Sequence, residues 1–193
     1  MRLIYLILLC ASLSLSLGAC APAVVGGAAA GGLAAADRRT SGTYVEDEGI
    51  EWKSLTRISE ALKDKIHINV TSFNRSVLLT GEAADEAARQ KAESIAREVQ
   101  NVRNVTNELA IGLPSSLASR SNDTYLTSLV KGNMIKDNAG RFAPIHVKVI
   151  TENAVVYLMG MVTRKEAEAA TEIARNTSGV QKVVTVFEYV VVE

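Results

Sequence analysis

The chain has 193 residues, enough for one or two domains, and its 21 Lys and Arg residues balance its 21 Asp and Glu residues. No basic excess therefore points to nucleic acid as a partner. The only two cysteines, Cys10 and Cys20, lie near the N-terminus. Since neither cysteine lies in the part of the chain expected to fold, that part is expected to contain no disulfide.

The first twenty residues have the layout of a secretion signal. Met1 and Arg2 form a short positive region, and residues 3–17 form an apolar stretch too short for a comfortable membrane span. The motif Leu17-Gly18-Ala19-Cys20 resembles the lipobox of bacterial lipoproteins, in which the cysteine is acylated after cleavage. We predict a signal peptide over residues 1–19 and lipid attachment at Cys20. The alternative is an ordinary secretory signal with a chance cysteine.

The residue after Cys20 is Ala21 and not Asp. In lipoproteins of this kind, Asp at that position tends to retain the protein in the inner membrane. The resemblance therefore implies an outer-membrane anchor that faces the periplasm. Residues 20–49 start small and apolar and end polar and acidic, so we predict a flexible tether. The spacing of Gly27 and Gly31 also fits a helix-packing motif, which the high glycine content disfavours.

A fourteen-residue pattern occurs twice in the body of the chain. Residues 68–81 (INVTSFNRSVLLTG) and 147–160 (VKVITENAVVYLMG) align without a gap after a shift of 79 positions. Each copy alternates apolar and polar residues, crosses a polar turn, runs through an apolar strand and stops at glycine, which predicts a β-hairpin. An alanine-rich helix pattern and a valine-rich strand follow each copy. The chain therefore describes one small unit used twice.

The first domain is predicted over residues 50–112 and begins with a helix. Asp85 is a plausible N-cap for its second helix, over about residues 86–100, and a last strand follows. Residues 113–120 form a predicted linker. The apolar residues of the first helix recur at helical spacing and suit one core-facing stripe; they are Trp52, Leu55, Ile58 and Leu62.

The second domain, predicted over residues 121–193, repeats this order. Residues 121–123 (SND) offer N-caps for a helix over about residues 124–135, and a longer loop than in the first domain leads to the hairpin. Thr163 and Glu166 have the spacing of a capping box that opens the next helix. A last strand then ends close to the C-terminus.

Each unit is thus predicted to be αββαβ, and the fold class α+β. The first two strands form an antiparallel hairpin, and the second helix is a right-handed crossover that adds the last strand parallel to the second. The result is a three-stranded mixed sheet with two helices on one face. A domain of about 65–70 residues buries only about 60% of its unfolded surface, so we predict that the two domains pack together.

This order of helices and strands, with two hairpins that end at glycine, resembles the BON domain. The whole layout is similar to that of the dual-BON outer-membrane lipoproteins of Gram-negative bacteria, and the segments Asp37-Arg38-Arg39 and Thr151-Glu152-Asn153 fit that subgroup. The resemblance implies binding of anionic phospholipid, support of outer-membrane integrity and concentration at the division site. It also implies that the first helix of the second BON domain meets the membrane.

Helix geometry tests that expectation independently of the resemblance. Apolar residues of the second-domain helix spread over roughly 180° around its axis, whereas a helix on a sheet needs little more than about 100°. The excess predicts a second apolar neighbour, which is lipid, the first domain or a partner protein. Gly132 interrupts this helix, and Tyr125 stands where the family pattern has Trp. The predicted phospholipid-binding residues are Tyr125, Leu126, Leu129, Val130, Lys131, Asn133 and Met134.

Charge favours the same domain. Residues 117–193 contain 9 Lys and Arg against 8 Asp and Glu, whereas residues 44–112 contain 9 against 12. The second domain is therefore less repelled by an anionic membrane. Lys131, Lys136 and Arg141 are candidates to meet lipid phosphates, and a scattered solvated surface explains any single one of them equally well. The alternative function is a periplasmic scaffold that holds an envelope-assembly protein on the same face.

No sequence feature indicates an enzyme. The two histidines, His67 and His146, coincide under the 79-residue shift, so they are equivalent positions in separate domains. No nucleotide-binding loop, zinc-ligand spacing or nucleophile motif is present. We expect no catalytic residue, no metal, no cofactor, no nucleic acid and a monomeric chain. Gly81 and Gly160 are predicted to permit tight backbone geometry at a strand end.

Overall fold

The computed structural model describes residues 37–191, so the predicted signal peptide, Cys20 and most of the predicted tether lie outside the described residues. The first domain contains α1 (Ser41–Leu62), a 3-10 turn (Lys63–Lys65), β1 (Ile66–Phe73), β2 (Ser76–Ala83), α2 (Glu86–Arg97), β3 (Asn104–Asn107) and β4 (Ala110–Ile111). The second contains α3 (Leu117–Asp137), a 3-10 turn (Pro144–His146), β5 (Val147–Glu152), β6 (Val155–Val162), α4 (Arg164–Arg175) and β7 (Lys182–Tyr189).

Each domain has one mixed sheet, and the αββαβ order and the α+β class are confirmed. The strand orders are β1-β2-β3 and β5-β6-β7, with the first pair antiparallel and the second parallel in each case. β3 and β4 pair with β2 in one continuous register. They are therefore a single strand, interrupted at Glu108 and Leu109, and each sheet has the three strands predicted.

The first helix of each domain begins earlier than predicted. α1 begins at Ser41 and α3 at Leu117, where the side chains of Thr40 and Ser116 accept the capping hydrogen bonds. The predicted starts are wrong because the opening turns carry no core-facing stripe, and apolar periodicity is the signal that marks a packed helix. Residues 121–123, predicted to cap α3, lie inside it.

The second helix of each domain begins where predicted. The Asp85 side chain accepts from the N–H of Ala88 at 2.7 Å. Thr163 and Glu166 exchange both hydrogen bonds of a capping box. Each helix turns an alanine-rich face to its sheet, because small side chains let the helix axis lie close to the strands. In α2 the buried residues are Ala88, Ala92, Ile95 and Ala96.

Gly81 and Gly160 lie inside their strands and not at the ends, since β2 and β6 each continue for two residues beyond them. A Cβ added to Gly81 would lie 2.2 Å from the carbonyl oxygen of His67. One added to Gly160 would lie 2.2 Å from that of His146. At both positions the neighbouring backbone lies too close for any side chain. Only glycine therefore allows the two strands of each hairpin to approach this closely.

The two domains pack sheet against sheet, with their helices on the two outer faces. Alternate residues of β6 divide between the faces: Val156 and Leu158 pack against the helices, and Tyr157 turns the other way. Burial there raises the pKa of Tyr157 to about 12. The predicted packing of the two domains is confirmed by a buried apolar cluster that they share, consisting of Phe73, Leu78, Tyr157 and Met159.

Polar side chains join the domains around this cluster. Each bond links a residue of the first domain to one of the second, and each pair contains one carboxylate. The pairs are Asn69–Glu152 (2.8 Å), Asn74–Glu188 (2.6 Å), Glu82–Asn153 (2.7 Å) and Glu51–Lys148 (2.8 Å). Such directional contacts fix the register of one sheet on the other, which apolar packing alone leaves loose.

A buried aspartate on the first helix of each domain holds the hairpin turn. Asp47 accepts hydrogen bonds from both backbone N–H groups of the turn 74–75, at 2.9 and 2.7 Å. Asp123 does the same for the turn 153–154, at 2.9 and 2.8 Å. All four turn residues have positive φ, as in a type I′ turn. The internal repeat therefore includes a helix-to-turn contact that the sequence analysis missed.

Residues within the predicted tether of residues 20–49 contact both domains, and the first helix already begins at Ser41. Arg38 makes a two-pronged ion pair with Glu166 of the second domain, at 2.8 and 3.0 Å. Arg39 pairs with Asp47 of the first domain at 3.2 Å, and its guanidinium lies 3.9 Å from the centre of the Phe73 ring. Two adjacent arginines thus hold one domain each, beside the point where the chain enters the fold.

Arg38→Ala is expected to cost about 1–2 kcal/mol of stability at neutral pH, a figure discounted for partial exposure. Burial alone would raise the pKa of Glu166, but the Arg38 guanidinium and the Thr163 cap outweigh it and lower that pKa from 4.5 to about 2. The pKa of this carboxyl is lower in the folded chain than in the unfolded chain. It therefore stabilises the folded state fully at pH values above the unfolded pKa, and this stabilisation is lost as the pH falls to the folded pKa.

Urea unfolding of wild type and the Arg38→Ala variant between pH 7 and pH 3 checks this expectation. The difference between the two should shrink as the pH falls. A difference that stays constant or grows would show that Arg38 does not act through Glu166.

Candidate membrane-binding site

Polar contacts hold the C-terminal end of α3, the helix predicted to meet lipid. The Asn138 side chain donates to the carbonyl oxygen of Met134, and Arg141 donates to that of Asp137 at 3.2 Å. Arg141 also pairs with Glu172 of α4 at 2.8 Å. Arg141 thus closes the helix and ties it to α4, while its side chain stays 40% exposed.

Three of the residues predicted to bind lipid lie in the core. Leu126, Val130 and Met134 are 2%, 0% and 1% exposed. The prediction that they form a surface is wrong, because they are the stripe by which α3 rests on its domain. Asn133 is half-buried and donates to the hydroxyl of Thr177 at 3.0 Å, so it also serves packing.

The outward face of α3 combines apolar and basic side chains. Tyr125 is 60% exposed and Ile135 is 71% exposed, while Leu129 is half-buried. Lys131 and Lys136 are exposed, and neither forms an ion pair with any residue in the described part of the chain. An aromatic ring, an aliphatic side chain and the ammonium group of Lys136 suit the boundary between anionic headgroups and acyl chains. Lys131 lies at the flank of this face, where it lines a cavity with Tyr44 and Glu48 of α1.

Ile135 is the surface residue that the sequence analysis missed. It directly follows Met134, so it points about 100° away from the core stripe. The signal was present, since an apolar residue off the stripe and next to Lys136 is unusual on a solvated helix. The predicted arc combined core residues and surface residues of α3 in one set. Ile135 was not included in that set.

A rival apolar surface lies on α1. Trp52 is 70% exposed, so the prediction that it joins the core stripe is wrong. The core side of α1 carries Ile50, and residues two apart point about 200° away from each other on a helix. Since α1 and α3 cover opposite faces of the sandwich, a flat membrane cannot contact both outward faces at once.

One group of possible metal ligands occurs within residues 37–191, at the domain interface. Ligand atoms of His67, Glu82 and Glu152 lie within 4.8 Å of one another. Arg120 can only donate, so the 3.3 Å contact with Nε2 of His67 makes that nitrogen the acceptor. Nδ1 then carries the proton, which it donates to Glu82 at 2.8 Å. His67, Glu82 and Glu152 are therefore arranged for hydrogen bonding. The positive charge of the Arg120 guanidinium disfavours a metal ion beside it.

The two carboxyl groups of this cluster are perturbed in opposite directions. Burial raises the pKa of Glu152, and the charge of Glu82 adds to the effect. Burial would also raise the pKa of Glu82, but hydrogen bonds from Asn153 and His67 outweigh it and lower that pKa. His146 lies 3.5 Å from a carboxylate of its own domain, so the two histidines occupy separate places.

None of the helices within residues 37–191 is both long enough and apolar enough to cross a bilayer.

Comparison with known proteins assigns both units. Residues 46–112 and 122–190 match the family model of the BON domain. The chain is 40% identical over 172 residues to the outer membrane lipoprotein DolP of Haemophilus influenzae, with 88% of each chain covered. It is 35% identical to the 21 kDa hemolysin of Actinobacillus pleuropneumoniae, with 80% of this chain and 79% of that one covered.

A more distant relative is the osmotically-inducible protein Y of Escherichia coli, which is 27% identical, with 74% of this chain and 72% of that one covered. None of these three names describes an enzyme. The two matched segments coincide with the two αββαβ units and together cover more than half of the chain. The chain therefore belongs to the BON domain family, as a dual-BON lipoprotein that is lipid-anchored in the outer membrane and faces the periplasm.

Proposed function

We propose that this lipoprotein is not an enzyme and that it binds anionic phospholipid through the outward face of α3. In this way it supports outer-membrane integrity, with concentration at the division site as the family resemblance implies. One observation carries the proposal: Tyr125 and Ile135 stay exposed beside Lys131 and Lys136, although α3 already has a complete core stripe.

The affinity expected from this face is modest. A lysine near an anionic surface contributes about 1 kcal/mol, and insertion of an aliphatic side chain contributes about 1.5–3 kcal/mol at full burial. The acyl anchor proposed at Cys20 converts binding into an intramolecular event, because it holds α3 at a high local concentration next to the headgroups. A weak face is then sufficient to keep the second domain on the membrane.

Ile135→Glu is expected to weaken binding of residues 37–193 to phosphatidylglycerol vesicles by about tenfold or more, since it removes an inserted side chain and adds a repelled charge. Co-sedimentation measures the change. Trp52→Glu is the matched control, because Trp52 is 70% exposed against 71% for Ile135 and lies on the opposite outer face. If Ile135→Glu binds the vesicles as well as wild type does, or if Trp52→Glu loses as much binding, the proposed site on α3 is contradicted.

The alternative function, a scaffold for an envelope-assembly protein, uses the same face, because Tyr125 and Ile135 would also fit a protein groove. A photo-cross-linker at Ile135 separates the two functions; Leu126 is unsuitable because it is buried. Adducts with phospholipid support the lipid proposal. Discrete protein adducts without lipid favour the scaffold.

A further inference from the structure

β7 is an uncovered edge strand. It runs without interruption from Lys182 to Tyr189 at the edge of its sheet. The N–H of Val190 donates to the carbonyl oxygen of Val162 at 3.0 Å, and the register along β6 is constant. Because parallel strands bond through alternate residues, even-numbered residues of β7 bond to β6. The backbone groups that point outward therefore belong to Val183, Thr185 and Phe187.

Edges of the first sheet are protected in ways that β7 is not. On β1, the N–H of Ser72 donates to Glu51 at 2.7 Å and its carbonyl oxygen accepts from Lys148 at 3.4 Å. The last strand of that sheet is broken between β3 and β4. In the described part of the chain, no side chain bonds to the outward backbone of β7. A long, unprotected edge offers a row of donors and acceptors with which another extended chain can pair.

The sequence of β7 is complementary to itself when it is reversed about Thr185. An antiparallel second copy places Lys182 opposite Glu188 at both ends, which pairs opposite charges twice. Asn74 donates to one carboxylate oxygen of Glu188, so Lys182 would meet the other. Val183 then faces Phe187, and Thr185 faces its own counterpart. These are residues with outward backbone groups on both strands, as an antiparallel ladder requires.

We propose that a second copy of this chain pairs with the first through β7, antiparallel and centred on Thr185. The pairing joins two three-stranded sheets into one of six strands. It departs from the expectation of a monomer, because the charges along an unprotected edge are complementary to those of a second copy. The contact is confined to one strand of eight residues from each copy, whereas a standard stable complex buries roughly 1,600 Å². The dimer is therefore weak in dilute solution and forms mainly where the anchor concentrates the chain.

The symmetry of this dimer agrees with the lipid-binding face. The two-fold axis of an antiparallel strand pair at a sheet edge is perpendicular to the sheet. Both copies therefore keep α3 on the same side of the joined sheet, and both α3 faces can lie on one membrane. The pairing itself does not depend on lipid binding, so the two proposals can fail separately.

Cysteine cross-linking of the full-length chain in cells tests the register. Thr185→Cys is expected to form a disulfide-linked dimer, because Thr185 faces its own copy with Cα atoms about 5.5 Å apart, inside the range of about 4.4–6.8 Å for disulfides. Lys182→Cys is the matched control, since it faces Glu188 and should not link to itself. Wild type should give no dimer.

A second experiment tests the charge pairing between Lys182 and Glu188 of the two copies. Lys182→Glu in the Thr185→Cys background puts like charges opposite each other, so the yield of the dimer is expected to fall several-fold. Lys165→Glu, an exposed lysine of α4, should leave the yield unchanged. The proposal is overturned if Lys182→Cys links as readily as Thr185→Cys, if Thr185→Cys gives no dimer or links only to another protein, or if Lys182→Glu has no effect.

Discussion

Asp47→Ala is expected to destabilise the chain by about 3–5 kcal/mol, because it breaks a buried ion pair and leaves buried groups without an acceptor. The carboxylate is 3% exposed and accepts from the two N–H groups of the turn 74–75, from the hydroxyl of Ser72 and from Arg39. No other acceptor replaces it, since a methyl group cannot hold a type I′ turn against the helix. Urea unfolding followed by circular dichroism measures the loss.

Glu48→Ala is the control for this experiment, because Glu48 is the next residue on the same helix and is exposed. Its effect should lie within about 0.5 kcal/mol. Asp123→Ala should repeat the result in the second domain at about 1–3 kcal/mol for each unsatisfied N–H group. A loss below about 1 kcal/mol for Asp47→Ala would mean that the turn finds another acceptor.

Gly160→Ala is expected to cost about 3 kcal/mol, at the upper end for an overpacked site. The added Cβ would lie 2.2 Å from the carbonyl oxygen of His146, which is backbone and cannot rotate aside. β6 must therefore move relative to the chain before β5. Gly81→Ala should cost more, because the same 2.2 Å contact combines with a φ of +114°, which L-residues rarely adopt.

Gly132→Ala provides the opposite control in the same unfolding measurements. An added Cβ at Gly132 meets no atom within 4 Å, and α3 is continuous through this position. The substitution should therefore stabilise the chain by about 0.5–1 kcal/mol, through helix propensity. If Gly160→Ala and Gly132→Ala behave alike, the close approach at Gly160 does not constrain the fold.

Most of the fold could be predicted because the repeated hairpin carries two clear signals. Its alternation and turn residues define β1 and β2 and, 79 positions later, β5 and β6. The starts of α1 and α3 could not be found in the same way. Thr40 and Ser116 act through local capping hydrogen bonds, and nothing in the apolar pattern marks them.

The sandwich of the two sheets was predicted only as a general packing of domains. The apolar run of β6, VVYLMGMV, has buried residues on both faces, which is typical of a strand covered on both sides. The sequence analysis treated this segment as a hairpin strand with one face in solvent. That interpretation does not show that Tyr157 and Met159 contact the first domain. Which surfaces meet depends on contacts between segments far apart in the sequence.

The surface that we propose for lipid lies on the helix predicted to meet the membrane, but several of the residues predicted for it are buried. Helical geometry gives the angle between any two side chains, but it does not show which direction faces the sheet. Once α3 is packed, Leu126 and Met134 belong to the core, and the surface consists of residues on the other side. Tyr125 and Lys131 remain from the predicted set, and Ile135 joins them.

Titration of the chain with phosphatidylglycerol micelles, followed by amide chemical shifts, tests the central proposal most directly because it measures binding and maps the face together. The proposed site predicts shifts that grow with lipid at Tyr125, Lys131, Ile135 and Lys136 on α3, and no change around Trp52 on α1. Shifts centred on Trp52, or none anywhere, would contradict lipid binding through α3.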